Sequence, residues 1–235
     1  MIEAKHISKR FLLKRAVEGI DLELIPGKMY GIIGENGSGK STLLKLLAGL
    51  LRPSTGSLKI NGSPLTRKSA TDIAYMTDRG RFYPYLTVKQ LVDFYDSQFH
   101  DFKKEKAFRI LEYLAIDPDE KLKYLSKGNL GRAKLAVTIA RESPFILLDE
   151  PLSGLDPMVR ESIVKGIIQF VDFERQSLII TTHEIRDIEP LLDEVFILHG
   201  GKIIDHQTVD DIRTRERLDV ESWLKRKMQG NESMS

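Results

Sequence analysis

The sequence predicts an α/β fold in which a mainly parallel sheet follows a β-rich start and is interrupted by a block of helices. Two short apolar runs in the second half, Phe145-Ile146-Leu147-Leu148 and Ser177 to Thr181, have the composition of strands buried on both faces. A helix signal lies between them, and strand, helix, strand in that order gives parallel strands joined by a right-handed crossover. The stretch from Thr87 to Asp117 carries helical spacing instead and separates these strands from the earlier ones.

From the N-terminus, Ile20, Leu22 and Leu24 alternate with Asp21 and Glu23, the period of a half-buried strand. Pro26-Gly27 turns the chain into an apolar run, Met29 to Ile33, and Ser41 to Leu51 reads as a helix. Ser57 to Ile60 is extended and ends at the turn Asn61-Gly62; Ile73 to Met76 is the next strand. Thr87-Val88-Lys89-Gln90 has the T-x-x-Q spacing of a capping box, opening a helix continued by Leu91, Phe94 and Tyr95. Residues 103–115 form a second helix through Ala107, Ile110, Leu111 and Leu114, ended by Asp117-Pro118. Gly131 to Arg141 is helical, and Asp156-Pro157 is an N-cap and N1 pair for another helix. Val195 to Leu198 and Lys202 to Ile204 form a closing hairpin across Gly200-Gly201. Beyond Asp210, Leu218, Trp223 and Leu224 predict a docked helix, and Gln229 to Ser235 a frayed end.

Composition narrows the function classes. The chain has 235 residues, of which 41% are hydrophobic and 30% charged, enough to bury a sizeable core. Its 36 basic and 34 acidic residues leave a net charge of +2, so nothing in the charge balance favours nucleic acid as a partner. With no cysteine there are neither disulfides nor thiolate-held zinc, which suits a reducing compartment. The start, MIEAKHISKRF, lacks the apolar core of a signal peptide, and no run approaches the ~18 apolar residues of a membrane span. Any membrane connection is therefore expected to run through a partner.

The most specific local signal is Gly34-Glu35-Asn36-Gly37-Ser38-Gly39-Lys40-Ser41, the phosphate-binding pattern G-x-x-x-x-G-K-[ST], set between a strand and a helix. Backbone N–H groups of Asn36, Gly37, Ser38 and Gly39 can turn inward around phosphate oxygens, assisted by the positive end of the helix that carries Thr42. Lys40 can reach the β- and γ-phosphates, and the Ser41 hydroxyl can ligate Mg²⁺. The motif implies a nucleoside triphosphate. Downstream, an apolar strand ends in Asp149-Glu150. A carboxylate delivered beside the phosphate loop can hold Mg²⁺, usually through water, and Glu150 is then placed to orient or deprotonate an attacking water.

Three further stretches complete a set: Leu125-Ser126-Lys127-Gly128-Asn129, with Ser126 lying 23 residues before Asp149; Ser153-Gly154-Leu155-Asp156; and Thr182-His183-Glu184. With these, the sequence closely resembles the ATP-binding-cassette (ABC) ATPase domain, over roughly residues 1–208. The resemblance implies a P-loop NTPase (RecA-like) α/β core with a mainly parallel sheet, an N-terminal antiparallel β subdomain and a helical subdomain inserted at about 79–135. A C-terminal helix and tail would occupy 209–235. It further implies that Phe11 stacks on adenine, the alternative being an ordinary core phenylalanine. Ser126 and Gly128 would contact the γ-phosphate held by another protomer, Asp156 would lie on the loop that crosses the dimer interface, and His183 would be the switch histidine contacting the γ-phosphate and Glu150. ATP and Mg²⁺ are the implied cofactors. The implied partners are a second such subunit, identical or not, and integral membrane permease subunits that bind the transported substrate. The chain would be cytoplasmic and held at the inner face of the cell membrane by its permease.

Three departures qualify the resemblance. Where the family usually has a glutamine touching Mg²⁺ and water, this chain has Asp78, whose oxygens also suit Mg²⁺; the alternative is a surface turn residue. The signature reads S-K-G-N rather than S-G-G-Q, so Lys127 places a cation toward the facing nucleotide or toward solvent. Ser126 follows Asp78 by only 48 positions, and this short lobe resembles the ATPase subunits of bacterial ABC-2-type and antibiotic-resistance exporters. Arg79 to Tyr85 lies where the family docks its membrane subunit, with a plain packed loop as the alternative. A soluble relative acting on DNA or ribosomes is the competing function. Against it stand the absence of sustained heptads and the presence of a single phosphate loop.

Overall fold

The computed structural model describes residues 1–66, 69, 71–77 and 83–232, the last three without side chains. Its first strands are β1 (Ile2–Phe11), β2 (Lys14–Leu24) and β3 (Met29–Ile33), followed after one helix by β4 (Thr55–Ile60) and β5 (Ser63–Pro64). All but β3 form an antiparallel sheet of order β2-β1-β4-β5. In β2 the expected alternation holds: Ile20, Leu22 and Leu24 are buried while Asp21 and Glu23 are exposed.

The central sheet adds β6 (Ile73–Met76), β7 (Phe145–Asp149), β8 (Ser177–Thr182), β9 (Glu194–His199) and β10 (Lys202–Thr208) in the order β10-β9-β3-β8-β7-β6. Every pair is parallel except the β9–β10 hairpin. Alternate residues of this sheet feed two cores. Ile33, Met76, Leu148, Ile180 and Ile197 face the helical block and the C-terminal helix. Ile32, Phe145, Leu147, Ile179 and Phe196 face the antiparallel sheet and the first helix. A parallel sheet covered on both sides needs near-continuous apolar strands, which is why β7 and β8 read as solid runs.

The helices are α1 (Lys40–Leu47), α2 (Val88–Gln98), α3 (Lys104–Tyr113), α4 (Lys127–Ile139), α5 (Pro157–Phe170), α6 (Val209–Thr214) and α7 (Val220–Glu232). The capping box is formed: Thr87 N–H donates to Gln90 Oε1 at 2.9 Å and Gln90 N–H to Thr87 Oγ1 at 3.2 Å. Several boundaries differ from the sequence expectation. Helix α1 stops at Leu47 rather than Leu51, because Gly49 turns left-handed (φ 69°) and the N–H groups of Leu50 and Leu51 fold back onto Lys45 O. Helix α3 stops at Tyr113, ahead of Asp117-Pro118, where Ala115 takes a positive φ of 54°. Helix α4 begins at Lys127 rather than Gly131, since Ser126 Oγ accepts Asn129 N–H at 3.2 Å and opens the helix four residues earlier. Helix α7 runs to Glu232, into the end expected to fray, of which residues 233–235 lie outside the described ones; Val220 and Trp223, both fully buried, anchor its start.

Arg141, just past α4, fastens the helical block to the central sheet. Its guanidinium donates to Asp101 Oδ2 (3.0 Å) and to Ile73 O at the start of β6 (2.9 Å), and lies 4.0 Å from the Phe99 ring centroid. Ser143 Oγ donates to the same Asp101 oxygen at 2.7 Å. Nearby Tyr95 has its hydroxyl pKa pushed up to about 12 by burial, with Arg141 pulling the other way. Both members of the Arg141–Asp101 pair are largely shielded, at 4% and 14% side-chain exposure, so removing one leaves the other charged and poorly solvated. Arg141→Met is expected to lower the unfolding free energy by about 3 kcal/mol. Adding Asp101→Asn should recover part of that loss, as read from urea midpoints.

Candidate functional site

The site forms where β3, β7 and β8 end, along the carboxyl edge of the parallel sheet, the position at which open α/β sheets bind ligands. Between β3 and α1 the chain makes a tight loop that two glycines permit. A Cβ on Gly34 would come within 2.1 Å of Leu198 O, and one on Gly39 (φ 110°) within 2.3 Å of Ala16 O. The loop is pinned by Gly201 N–H donating to Ser38 O at 2.9 Å. No side chain caps α1, so its first N–H groups are directed into the loop. Ser38 Oγ is buried and finds no hydrogen-bond partner among the described residues. Unsatisfied donors at a helix N-terminus are the chemistry of an anion cradle.

Lys40 is 5% exposed and points back along the loop, donating to Gly34 O (2.7 Å) and Glu35 O (3.1 Å). Its Nζ also lies 3.0 Å from Glu150 Oε1. The other carboxylate oxygen of Glu150 meets His183 Nδ1 at 2.8 Å, so Glu150 stands between a cation and an imidazole. Glu150 takes a left-handed backbone (φ 48°), a costly conformation for a residue with a side chain, held by its N–H donating to Thr181 O (3.2 Å) and Thr181 Oγ1 (3.0 Å). One residue earlier, Asp149 is 2% exposed. It accepts hydrogen bonds from Ser41 Oγ (2.9 Å), Thr181 Oγ1 (2.9 Å) and Tyr75 OH (3.2 Å).

These groups open onto a cleft of about 630 Å³. The loop residues Asn36, Gly37, Gly39, Lys40, Ser41 and Thr42 line its floor. Asp149, Glu150, Thr77 and Ser153 also line it, as do Phe11, Lys14 and Ala16. Phe11 is 45% exposed at this mouth, so it is not a core phenylalanine. The lining suits a molecule that offers anionic groups to the loop and an apolar face to Phe11.

Comparison with known proteins decides the family. The model of the family described as "ABC transporter" matches residues 17–153, more than half of the chain. The chain belongs to the ABC transporter family, as an ATP-binding subunit. It is 30% identical over 217 residues to an uncharacterized ABC transporter ATP-binding protein, MJ1023 of Methanocaldococcus jannaschii, covering 90% of this chain and 79% of that one. It is 27% identical over 223 residues to the linearmycin resistance ATP-binding protein LnrL of Bacillus subtilis, covering 92% and 71%. Its fold matches the dimeric ATP-binding cassette MJ0796, bound to ADP and Pi in a post-hydrolysis state, with a TM-score of 0.80 at 21% identity, covering 88% of this chain and 98% of that one. The activity of the family, and of this subunit, is that of an ATPase.

Not every residue singled out in this ATP-binding subunit reaches its own cleft. Ser126 is consumed as the cap of α4, and Asp156 caps α5 by accepting Val159 N–H at 3.0 Å. Gly128 packs against α5, where a Cβ would sit 3.4 Å from a Val159 methyl. None of the three lines the cleft. Asp78 lies outside the described residues, as does the segment Arg79 to Phe82. Two residues that sequence reasoning passed over prove central: Thr181, which serves both Asp149 and Glu150, and Tyr75. Their only sequence signal was position, at or near the carboxyl ends of strands flanking Asp149. Thr181→Val is expected to cost about 1–2 kcal/mol of stability by leaving Asp149 and the Glu150 N–H short of a partner, and to lower ATPase turnover. Thr181→Ser should restore both, as measured by urea unfolding and phosphate release.

Proposed function

We propose that this subunit hydrolyses Mg-ATP in composite sites between two copies of itself or a close relative, and that the cycle drives a membrane-embedded export permease. The observation that carries this reading is the chain of contacts Lys40–Glu150–His183 beside the Ser41–Asp149 pair. Lys40 would leave its carbonyl partners to neutralise the β- and γ-phosphates, with the α1 N-terminus and Ser38 Oγ supplying further donors. Ser41 and Asp149 would hold Mg²⁺, with Asp78 as a further candidate. Among the described residues no group of three or more His, Asp or Glu could hold a metal unaided, so phosphate oxygens and water complete the shell. When bound, Mg²⁺ offsets charge on the phosphates. Glu150, released from Lys40, would accept a proton from the attacking water, and His183 would hold that carboxylate in place and face the γ-phosphate. Phosphoryl transfer asks chiefly for such positioning and charge compensation.

The dimer reading is supported by Ser126, Gly128 and Asp156 lying off the chain's own cleft at two adjoining helix starts, where they are available to a facing copy. The dimeric form of the MJ0796 cassette points the same way. For the permease, Tyr83 (57% exposed), Tyr85 (64%) and Phe94 (42%) form an exposed aromatic ladder that continues inward through Tyr95 to Phe99 and Phe102. Rigid aromatics on a packed base are the usual anchors of an interface. No described helix is long and apolar enough to cross a membrane, so attachment at the cytoplasmic face would depend on that partner. The short helical block and the linearmycin-resistance relative favour export.

Glu150→Gln is expected to bind ATP, accumulate as a dimer on size-exclusion chromatography and lose at least about 100-fold in turnover. Wild-type turnover in that variant would remove Glu150 from the role of base. Tyr83→Asp should leave the ATPase rate of the isolated subunit within about twofold, since surface changes away from the site are usually mild. The same variant should abolish copurification with the membrane subunits.

A further inference from the structure

One side chain outside the cleft joins the two loops that carry Glu150 and His183. Arg160 stands in the first turns of α5 with its side chain 22% exposed. Its Nε donates to Leu155 O at 2.8 Å, on the loop running from Glu150 to the α5 cap. Its Nη1 lies 3.3 Å from Asp187 Oδ2 and forms an ion pair with Glu184 Oε2, both on the turn that follows His183. Glu184 Oε2 is buried and accepts no aligned hydrogen bond among the described residues. Its charge is therefore balanced by the Arg160 guanidinium on one side and faces His183 on the other, with Glu184 Oε1 3.7 Å from His183 Nε2.

That second distance matters because the two ring nitrogens of His183 are not equivalent. Nδ1 is engaged by Glu150 at 2.8 Å, so Nε2 is the nitrogen left for a phosphate oxygen. The Glu184 carboxylate sits just beyond hydrogen-bonding distance of it. The main chain there is fixed, with Glu184 N–H donating to Thr182 Oγ1 (2.9 Å) and Thr182 Oγ1 donating to Glu184 O (3.0 Å). The side chain of Glu184 is one group that can close the gap, and its other carboxylate oxygen is paired with Arg160. A carboxylate that captured Nε2 would also put negative charge where an anionic phosphate has to approach.

We propose that Arg160 is a positioning residue for ATP hydrolysis: it keeps Glu184 off His183 Nε2 and ties the Leu155 loop to the same turn. The inference rests on the proposed assignment of His183 to the γ-phosphate. It makes a distinctive demand, namely that neutralising Glu184 repairs the loss of Arg160. Arg160→Met is expected to lower kcat about tenfold with little change in KM for ATP, because the defect lies in orienting groups around the reacting phosphate. Glu184→Gln alone should stay within about twofold of wild type, and the double variant R160M/E184Q should return to within about threefold.

The experiment measures kcat, KM and thermal midpoint for wild type, R160M, E184Q, R160M/E184Q and His183→Ala. If R160M does not accumulate as folded protein, the cycle is run with Arg160→Lys, expected to lose about threefold and to recover on adding E184Q. Wild-type kcat in the Arg160 variant overturns the proposal. So does a double variant as slow as the single one at equal thermal midpoint, which would leave Arg160 a purely structural strut. An active His183→Ala would overturn the reading of the site itself, whereas an inactive His183→Ala beside an unimpaired R160M would overturn the Arg160 proposal alone.

Discussion

The buried carboxylate of Asp149 is the constraint around which the molecule is arranged. A carboxylate shielded from water is tolerable only when hydrogen bonds replace its hydration. Here the replacements come from three different elements: Ser41 on α1, Thr181 on β8 and Tyr75 on β6. Each bond fixes a relationship that packing alone would leave loose. The Ser41 bond sets how deeply α1 seats against the sheet. Those from Thr181 and Tyr75 hold β8 and β6 in register with β7, where Asp149 pairs with Thr181 and Tyr75 with Leu147. Because a strand slip of one residue would point each hydroxyl to the opposite face, the site and the sheet register are specified together.

Glu150 inherits its geometry from that knot. Following directly on a pinned Asp149, with its N–H captured by Thr181, it is forced into the left-handed region and projects into the cleft between Lys40 and His183. Adjacent residues in an extended strand would present their side chains to opposite faces; the positive φ at Glu150 breaks that alternation at the strand end. Two neighbouring carboxylates thus acquire different surroundings, one saturated with hydroxyl donors and the other between a cation and an imidazole. Such divergence between paired acids is how one stretch of chain serves two chemical roles.

What was legible in the sequence divides along the same line. Local rules sufficed where structure is set locally: the glycine loop between β3 and α1, the Thr87–Gln90 box, the Asp156-Pro157 start of α5 and the solid apolar runs of β7 and β8. They failed where a neighbour in space decides. Helix α4 begins at Lys127, across glycines that disfavour helix: Ser126 caps it and its first turn packs against Val159 of α5. Helix α1 ends early because the chain must turn at Gly49 toward the antiparallel sheet, with Leu65 and Thr66 closing over that glycine. Strand β1 carries Lys5, Lys9 and Arg10 and offers little apolar periodicity, yet pairs on both sides with β2 and β4. Thr181 and Tyr75 had ordinary strand identities in ordinary strand contexts, and only the parallel register that sets them beside Asp149 gives them a role.

Helix α4 has a further consequence for how the two ends of the molecule communicate. Its C-terminal end is fixed to the sheet, since Arg141 bonds Ile73 O at the start of β6 and Asp101 of the helical block. Its N-terminal end, about 20 Å away at 1.5 Å per residue, meets the start of α5. Two helix N-termini therefore lie side by side, capped by Ser126 and Asp156, with Lys127 Nζ resting on Gly154 close to where a Cβ would stand. Both dipoles and the ammonium contribute positive potential here, offset in part by the Asp156 carboxylate. On the proposed reading it is the face offered to a second subunit's nucleotide, and its placement depends on the packing of α4 and α5. Arg160, on that same α5, reaches the turn after His183. A shift of α5 driven by a facing subunit would thus reach the turn after His183 through this guanidinium as well as through the shared core.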